Sequence, residues 1–363
     1  MREIIQNRLR RFRETLREEV FDTFLVVQEE NRFYLSGFTG EDLHFNESAG
    51  FLFITQERQI LSTDFRYEAQ AVRESPEFEV YCYKNGLAES LPEILKMLNT
   101  ERLGFEGTRL SYFLFERFKE CIRKAGMNVA LISRVGMVED LRMIKEPWEI
   151  KAISESLRVT ESVFQTFYET LSPDVSEKAA AWTIERLIRE RGAQSVAFPL
   201  IAASGPNSAL PHARPTDRIF KRHEPILFDL GARVNSYCSD MSRTIVLGEP
   251  DDTFKKLFQI VEDAQKMAIE AIKPGVRSDE VDRVARDYIS AKGFKDRFRH
   301  ALGHGVGLST HEMPSLSPFK PVVLQAGMVV TVEPGIYLPD WGGVRLENMV
   351  LIEEDGASIL NRL

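Results

Sequence analysis

The stretch from Leu227 to Thr244, LFDLGARVNSYCSDMSRT, constrains the fold more than any other, because it sets two aspartates, Asp229 and Asp240, beside apolar neighbours in what reads as a two-stranded hairpin. Aspartate is depleted in strands, and a carboxylate turned toward a core destabilises the fold unless a cation or a donor compensates it. Downstream come a histidine-rich segment and two more acids in strand-like runs, Glu333 in VVTVEPGIY and Glu347 in GVRLENMVLIEE. Together they predict a metal centre built inside a sheet. The separations 240 − 229 = 11 and 347 − 333 = 14 both fit a hairpin with its loop. Each pair follows helical stretches, so the arrangement of helices then an acid-bearing strand pair occurs twice.

At 363 residues the chain exceeds the usual size of one core, and two domains are expected. From Phe21 to about Arg134, FLVV, GFLFIT, QILST, FEVYCY and LGF read as strands, while Asp64 to Glu74, Leu87 to Leu98 and Ser111 to Lys124 read as helices, which gives an α/β or α+β domain. NRFYLSGFTG, rich in aromatics and glycine, reads as a packed loop. Glu146-Pro147 opens a long helix, since proline is tolerated at a helix start. A second helix runs from Ser176 to Arg191 and ends at Gly192; later ones span Thr253 to Ile272 and Ser278 to Lys292. The expected division is a domain over 1–134, a linker over 135–146 and a second domain over 147–363.

A net charge of −8 argues against an electrostatic nucleic-acid binder. Three widely spaced cysteines, Cys82, Cys121 and Cys238, fit neither a disulfide framework nor a metal knuckle, and point to a reducing cytoplasm. The amino terminus carries Ile5, Leu9, Phe12 and Leu16 at helical spacing, so it reads as a docked helix rather than a signal peptide. No segment has the ~18 uninterrupted apolar residues of a membrane span.

Of six histidines, His300, His304 and His311 fall close together, with Gly303, Gly305 and Gly307 flanking His304 so that backbone can approach closely. A lone histidine is more often structural than a ligand; four strand carboxylates in need of a cation shift that balance. Oxygen-rich sites with one or two imidazoles suit Mn, Co, Zn or Fe, and four carboxylates exceed what one ion with an open position takes. Two ions about 3.5 Å apart, sharing carboxylates and a water, would use them all, and the reaction implied is metal-assisted hydrolysis. The glycines miss GxGxxG spacing, His311-Glu312 does not continue as HExxH, and neither a GxxxxGK[ST] nor a GxSxG motif occurs. Cys238 reads as a packing residue rather than a nucleophile.

The set FDLGARVNSYCSD, GHGVGLSTHE, TVEPG and GVRLEN, with YLSGF and STDFRYEAQA nearer the amino terminus, resembles the pita-bread metallopeptidases of the aminopeptidase P and prolidase branch. The resemblance covers most of the chain. It implies a creatinase-type α/β amino-terminal domain and an α+β pita-bread catalytic domain, a pseudo-twofold, curved antiparallel sheet covered by helices. It further implies two divalent metal ions, Mn foremost with Co or Zn as alternatives. Asp229 matches a ligand of the first ion, His304 and Glu333 match ligands of the second, and Asp240 and Glu347 match the bridging carboxylates.

His212 and His311 match the histidines that hold substrate and the tetrahedral intermediate, with His300 behind the ligands. Arg345 matches an arginine that pairs with a bridging aspartate, and Glu333 is expected to shuttle a proton to the leaving nitrogen. Proline-containing peptides are the implied substrates, and a cytoplasmic homodimer the implied form. In prolidases an arginine after the proline of the HExP segment is expected to clamp a dipeptide's carboxylate; here Pro314 is followed by Ser315. The main expectation is therefore an Xaa-Pro aminopeptidase, with an Xaa-Pro dipeptidase as alternative if Arg214, Arg218 or an amino-terminal-domain residue supplies the clamp. A methionyl or broad aminopeptidase and a non-catalytic peptide-binding module on the same fold stay open.

Overall fold

The structure is a computed structural model that describes residues 2–42, 44 and 47–363. Contacts divide the chain into two units, Met1–Arg142 and Met143–Leu363. The division falls inside the stretch read as a linker, which itself holds a short helix, Glu139–Met143. Among the described residues no helix is long and apolar enough to cross a membrane.

In the first unit six strands form one sheet in the order Glu79–Cys82, Gln59–Thr63, Phe51–Ile54, Thr23–Val26, Arg102–Glu106, Ala130–Arg134. Phe51–Ile54 runs antiparallel to both neighbours, and the other pairings are parallel. The helix Leu87–Leu98 buries Leu91, Ile94 and Leu95 at helical spacing against Leu25, Phe53 and Leu103. Two details depart from expectation. Asn31–Ser36 is not loop but part of the helix Glu29–Ser36, whose Tyr34 and Leu35 are buried, and the chain leaves it at Gly37 with φ 75°. The edge strand Ala130–Arg134 escapes sequence reading because it buries almost nothing, so its side chains carry no apolar alternation.

The second unit repeats one order of elements. Helices Pro147–Thr170 and Glu177–Glu190 precede the antiparallel strands Ile201–Ser204, Pro225–Leu230 and Met241–Val246; helices Asp252–Ala271 and Ser278–Ile289 precede Gly303–Gly305, Val329–Val332 and Asn348–Ile352. The first helix starts with Pro147 in its first turn, as its sequence predicts, and the structure adds a capping box between Glu146 and Glu149. Strand alternation then sorts the side chains. Ile226, Phe228 and Leu230 pack toward the helices, where Phe228 meets the ring edges of Phe164, Phe167 and Phe220 at 5.3 to 5.9 Å, leaving Leu227 and Asp229 on the opposite face. In the second half Val330 and Val332 pack under Val261, Ala264 and Ala268, leaving Thr331 on the other face, where it meets Glu333.

Candidate metal centre

Of the five expected ligands, Asp229 and His304 lie within strands; Asp240, Glu333 and Glu347 sit just outside them. The hairpin expected to carry both aspartates ends its ladder at Met241↔Leu230, one residue short of Asp240. Met241 packs with Leu230 toward the helices while Ser242 faces Asp229, so plain alternation puts Asp240, two residues before Ser242, on the face that Asp229 occupies. The two aspartates act on each other's ionisation, as their shared surroundings require.

Asp240, His304 and Glu347 each offer a ligand atom within 4.8 Å of the others. His304 Nε2 stands 3.3 Å from Glu333 Oε1 and 3.7 Å from Asp240 Oδ2. The His304 backbone N–H donates to Thr331 Oγ1, and that hydroxyl donates to Glu333 Oε1 at 3.3 Å, so one threonine sets both groups. A Cβ on Gly303 would overlap the Thr331 carbonyl, on Gly305 the Met313 carbonyl, and on Gly307 the Glu312 carboxylate. The glycines thus serve strand-to-strand approach around His304 rather than contact with the imidazole.

The electrostatics call for positive charge. Burial, reinforced by the neighbouring carboxylates, pushes Asp240 and Glu347 well above the usual carboxylate range, and burial raises Asp229 even against Arg345. Burial acts the same way on Glu333, but the hydrogen bond and charge of His304 prevail and pull it down to about 2. Asp229 Oδ1, Asp240 Oδ1 and Glu347 Oε1 are buried with no hydrogen-bond partner among the described residues. A hard carboxylate set with one imidazole and three unpartnered acceptors fits divalent cations of the Mn, Co or Zn kind.

Arg345 is buried, and four of its five N–H donors are engaged: Nη2 donates to Asp229 Oδ2 at 2.7 Å, Nε to Ser242 Oγ, and Nη1 to the Pro211 carbonyl and the Tyr337 hydroxyl. Its carboxylate partner is therefore Asp229, not the bridging aspartate expected from the sequence, because Arg345 and Asp229 face each other across the seam between the two halves. His300 bonds Tyr337 Oη at 2.9 Å through Nε2, the same hydroxyl that accepts from Arg345, and its charge acts on Glu333. Tyr337, Ser242 and Thr331 were not singled out in the sequence; Tyr337, four residues past Glu333 in EPGIY, was the one within reach.

His212 and His311 are exposed, and the His311 ring lies 4.1 Å from that of His304 at 73°. Partial desolvation of its ring, with the nearby His304 and His212, pushes His311 down to about 4, so it is neutral at pH 7. Arg218 is no free clamp: it binds Glu224 through both terminal nitrogens and Ser204 Oγ. Arg214 is exposed, and Ser315 pairs with His304 across the ladder. Cys238 is buried with its sulfur 3.7 Å from the Leu308 carbonyl, in keeping with a packing role.

Comparison with known proteins gives two family matches: residues 151–354 to metallopeptidase family M24 and residues 8–144 to the creatinase/prolidase N-terminal domain. The Xaa-Pro dipeptidase of Pyrococcus furiosus is 37% identical over 359 residues, 99% of this chain and 98% of that protein. Among solved structures, the Xaa-Pro dipeptidase from Bacillus anthracis superposes with a TM-score of 0.92 at 35% identity, covering 99% of this chain and 98% of the other. The X-Pro aminopeptidase from Thermotoga maritima gives 0.88 at 34% identity, covering 98% and 97%.

Proposed function

From the premise that this chain belongs to metallopeptidase family M24, with a creatinase/prolidase N-terminal domain and a pita-bread catalytic domain, we propose that it is an Xaa-Pro dipeptidase. The observation that carries the metal-dependent hydrolase part of this reading is the acid and imidazole cluster of Asp229, Asp240, His304, Glu333 and Glu347, with three buried oxygens lacking partners among the described residues. These five residues would hold two divalent ions, Mn foremost and Co or Zn as alternatives. When bound, such ions would polarise the scissile carbonyl and acidify water.

The chain's own groups divide the remaining tasks. Glu333, ionised at neutral pH, takes a proton from the attacking water and passes it to the leaving nitrogen. His311, neutral at the rim, donates a hydrogen bond to the developing oxyanion, and His212 beside it holds the substrate. Arg345, braced by Tyr337 and Ser242, keeps Asp229 aimed inward.

The sequence alone favours an aminopeptidase because Ser315 leaves the carboxylate clamp unfilled. The full-length likeness to dipeptidases outweighs it, since a single arginine contact can be supplied from elsewhere in a chain. Ser315 keeps the aminopeptidase as the second reading. Cleavage rates of Ala-Pro, Ala-Pro-Ala and Ala-Ala-Ala with Mn, Co or Zn decide between them. Ala-Pro should be turned over at least tenfold faster than Ala-Pro-Ala, and Ala-Ala-Ala not at all; preference for the tripeptide would establish the aminopeptidase. A cytoplasmic homodimer belongs to the same reading, and light scattering on the purified protein tests the dimer.

A further inference from the structure

The helix Asp252–Ala271 turns an apolar stripe of Leu257, Val261, Ala264 and Ala268 to the core, yet Gln265 shares that stripe and is buried. Its side-chain nitrogen donates to two backbone carbonyls, Val332 O at 2.8 Å and Leu346 O at 2.9 Å. Those are the carbonyls immediately before Glu333 and Glu347.

The ladder between Val329–Val332 and Asn348–Ile352 ends at the pair Val332↔Asn348. One step further, where Glu333 and Glu347 would face each other, the strands part: the Glu333 N–H donates to Leu302 O and the Glu347 N–H to Ser242 O. The amide of Gln265 spans this gap in place of the missing rung. The bracket is itself fixed, because Asn348 Nδ2 reaches Gln265 Oε1 at 3.5 Å, Asn348 Oδ1 accepts from Arg243, and Arg243 also binds the Glu347 carbonyl. The first half has a counterpart. Ser156 and Thr160 of the helix Pro147–Thr170 bond Ser239 Oγ at 3.0 and 2.8 Å, the residue just before Asp240.

We propose that Gln265 is a positioning residue: its carboxamide sets the spacing between Glu333 and Glu347, and thereby the affinity of the centre for divalent cations. The inference rests on the reading of the carboxylate cluster as a metal centre. It concerns a side chain that touches neither ion nor substrate.

Mn2+ binding by chelator-treated protein, measured by calorimetry beside circular dichroism, tests it. Gln265→Met keeps the volume and removes both donors. It should fold and bind Mn2+ at least about tenfold more weakly, the size found when a group supporting a metal ligand is lost. Val261→Ala, one turn earlier on the same buried stripe, creates a small cavity without touching either carbonyl, and should lower the melting temperature while leaving Mn2+ affinity within twofold. If Gln265→Met does not fold, Gln265→Asn, whose amide is withdrawn by one methylene, is judged by the same tenfold criterion. Unchanged affinity in the folded variant, or equal weakening in Val261→Ala, overturns the proposal. Wild-type protein that takes up no Mn2+ overturns the metal reading and this inference with it, whereas wild-type uptake with an unchanged variant overturns this inference alone.

Discussion

His304 is held above its ordinary pKa although burial works the other way, because Glu333 accepts its hydrogen bond and supplies the opposite charge. Asp240 is held up by burial and by the charge of Glu347, and Glu347 by burial and by the charges of Glu333 and Asp229. The cluster therefore holds its protons to higher pH than the free side chains would, and an incoming cation must displace them. Calorimetric titration with Mn2+ at pH 6.5, in two buffers of different ionisation enthalpy, should register the release of at least one proton per protein; none released would contradict this protonation pattern. Asp240→Asn removes one like charge from a buried acid cluster. That variant should melt no lower than wild type in chelator, yet lose both the rise in melting temperature with Mn2+ and hydrolysis of Ala-Pro. Asp229 was legible in the sequence because an aspartate between apolar strand residues is costly without a purpose, whereas His304 was singled out from its neighbouring histidines only by its match to the family's ligand position. Gln265 was not legible, because a glutamine in FQIVEDAQKMA reads as one more polar residue on a helix, and only its partners reveal the work it does.

The loop bearing His212 shows how one element can hold another. Glu177, at the start of the helix Glu177–Glu190, is fully buried. Its carboxylate accepts from the Ser204 N–H and hydroxyl, the Asn207 amide, and the Thr216 N–H and hydroxyl, so it closes the neck of the segment between 204 and 216 from both sides. Glu177→Gln replaces one acceptor oxygen by a donor that faces other donors. Leaving buried donors unmatched costs about 1–3 kcal/mol apiece. The variant should be destabilised by at least that much, and subtilisin, which has broad specificity, should cut faster within residues 205–215. Unchanged proteolysis would mean that the neck is held elsewhere. Sequence reading placed the helix, but an acid in a first turn suits the helix dipole and so gives no sign of a further role. The element was legible; its cargo was not.

At the scale of the molecule, the two units answer to different variables. In the first, burial, with the charge of Glu139, pushes Glu106 up to about 7 against the N–H donors of Val27 and Gln28. A carboxyl raised in this way from an unfolded value of about 4.3 stabilises the fold fully only below that value, and its contribution fades as pH rises through the folded pKa. The first unit should lose on the order of 2 kcal/mol between pH 5.5 and 8. Trp148, Trp182 and Trp341 all lie in Met143–Leu363, so tryptophan fluorescence follows the second unit while circular dichroism follows both. In urea, Mn2+ at a hundredfold above its dissociation constant should stabilise the fluorescence transition by about 2.7 kcal/mol. The pH-sensitive transition should ignore Mn2+, and a shift of both together would show that the units unfold as one.

The three close-packed glycines around His304 have a consequence for how this chain tolerates change. Any side chain at 303, 305 or 307 meets a neighbouring strand or the Glu312 carboxylate before it meets solvent. In a saturation survey of substitutions the segment would read as a row of intolerant positions as stark as the acids themselves. Three of those positions would owe their intolerance to masonry, with no part in chemistry.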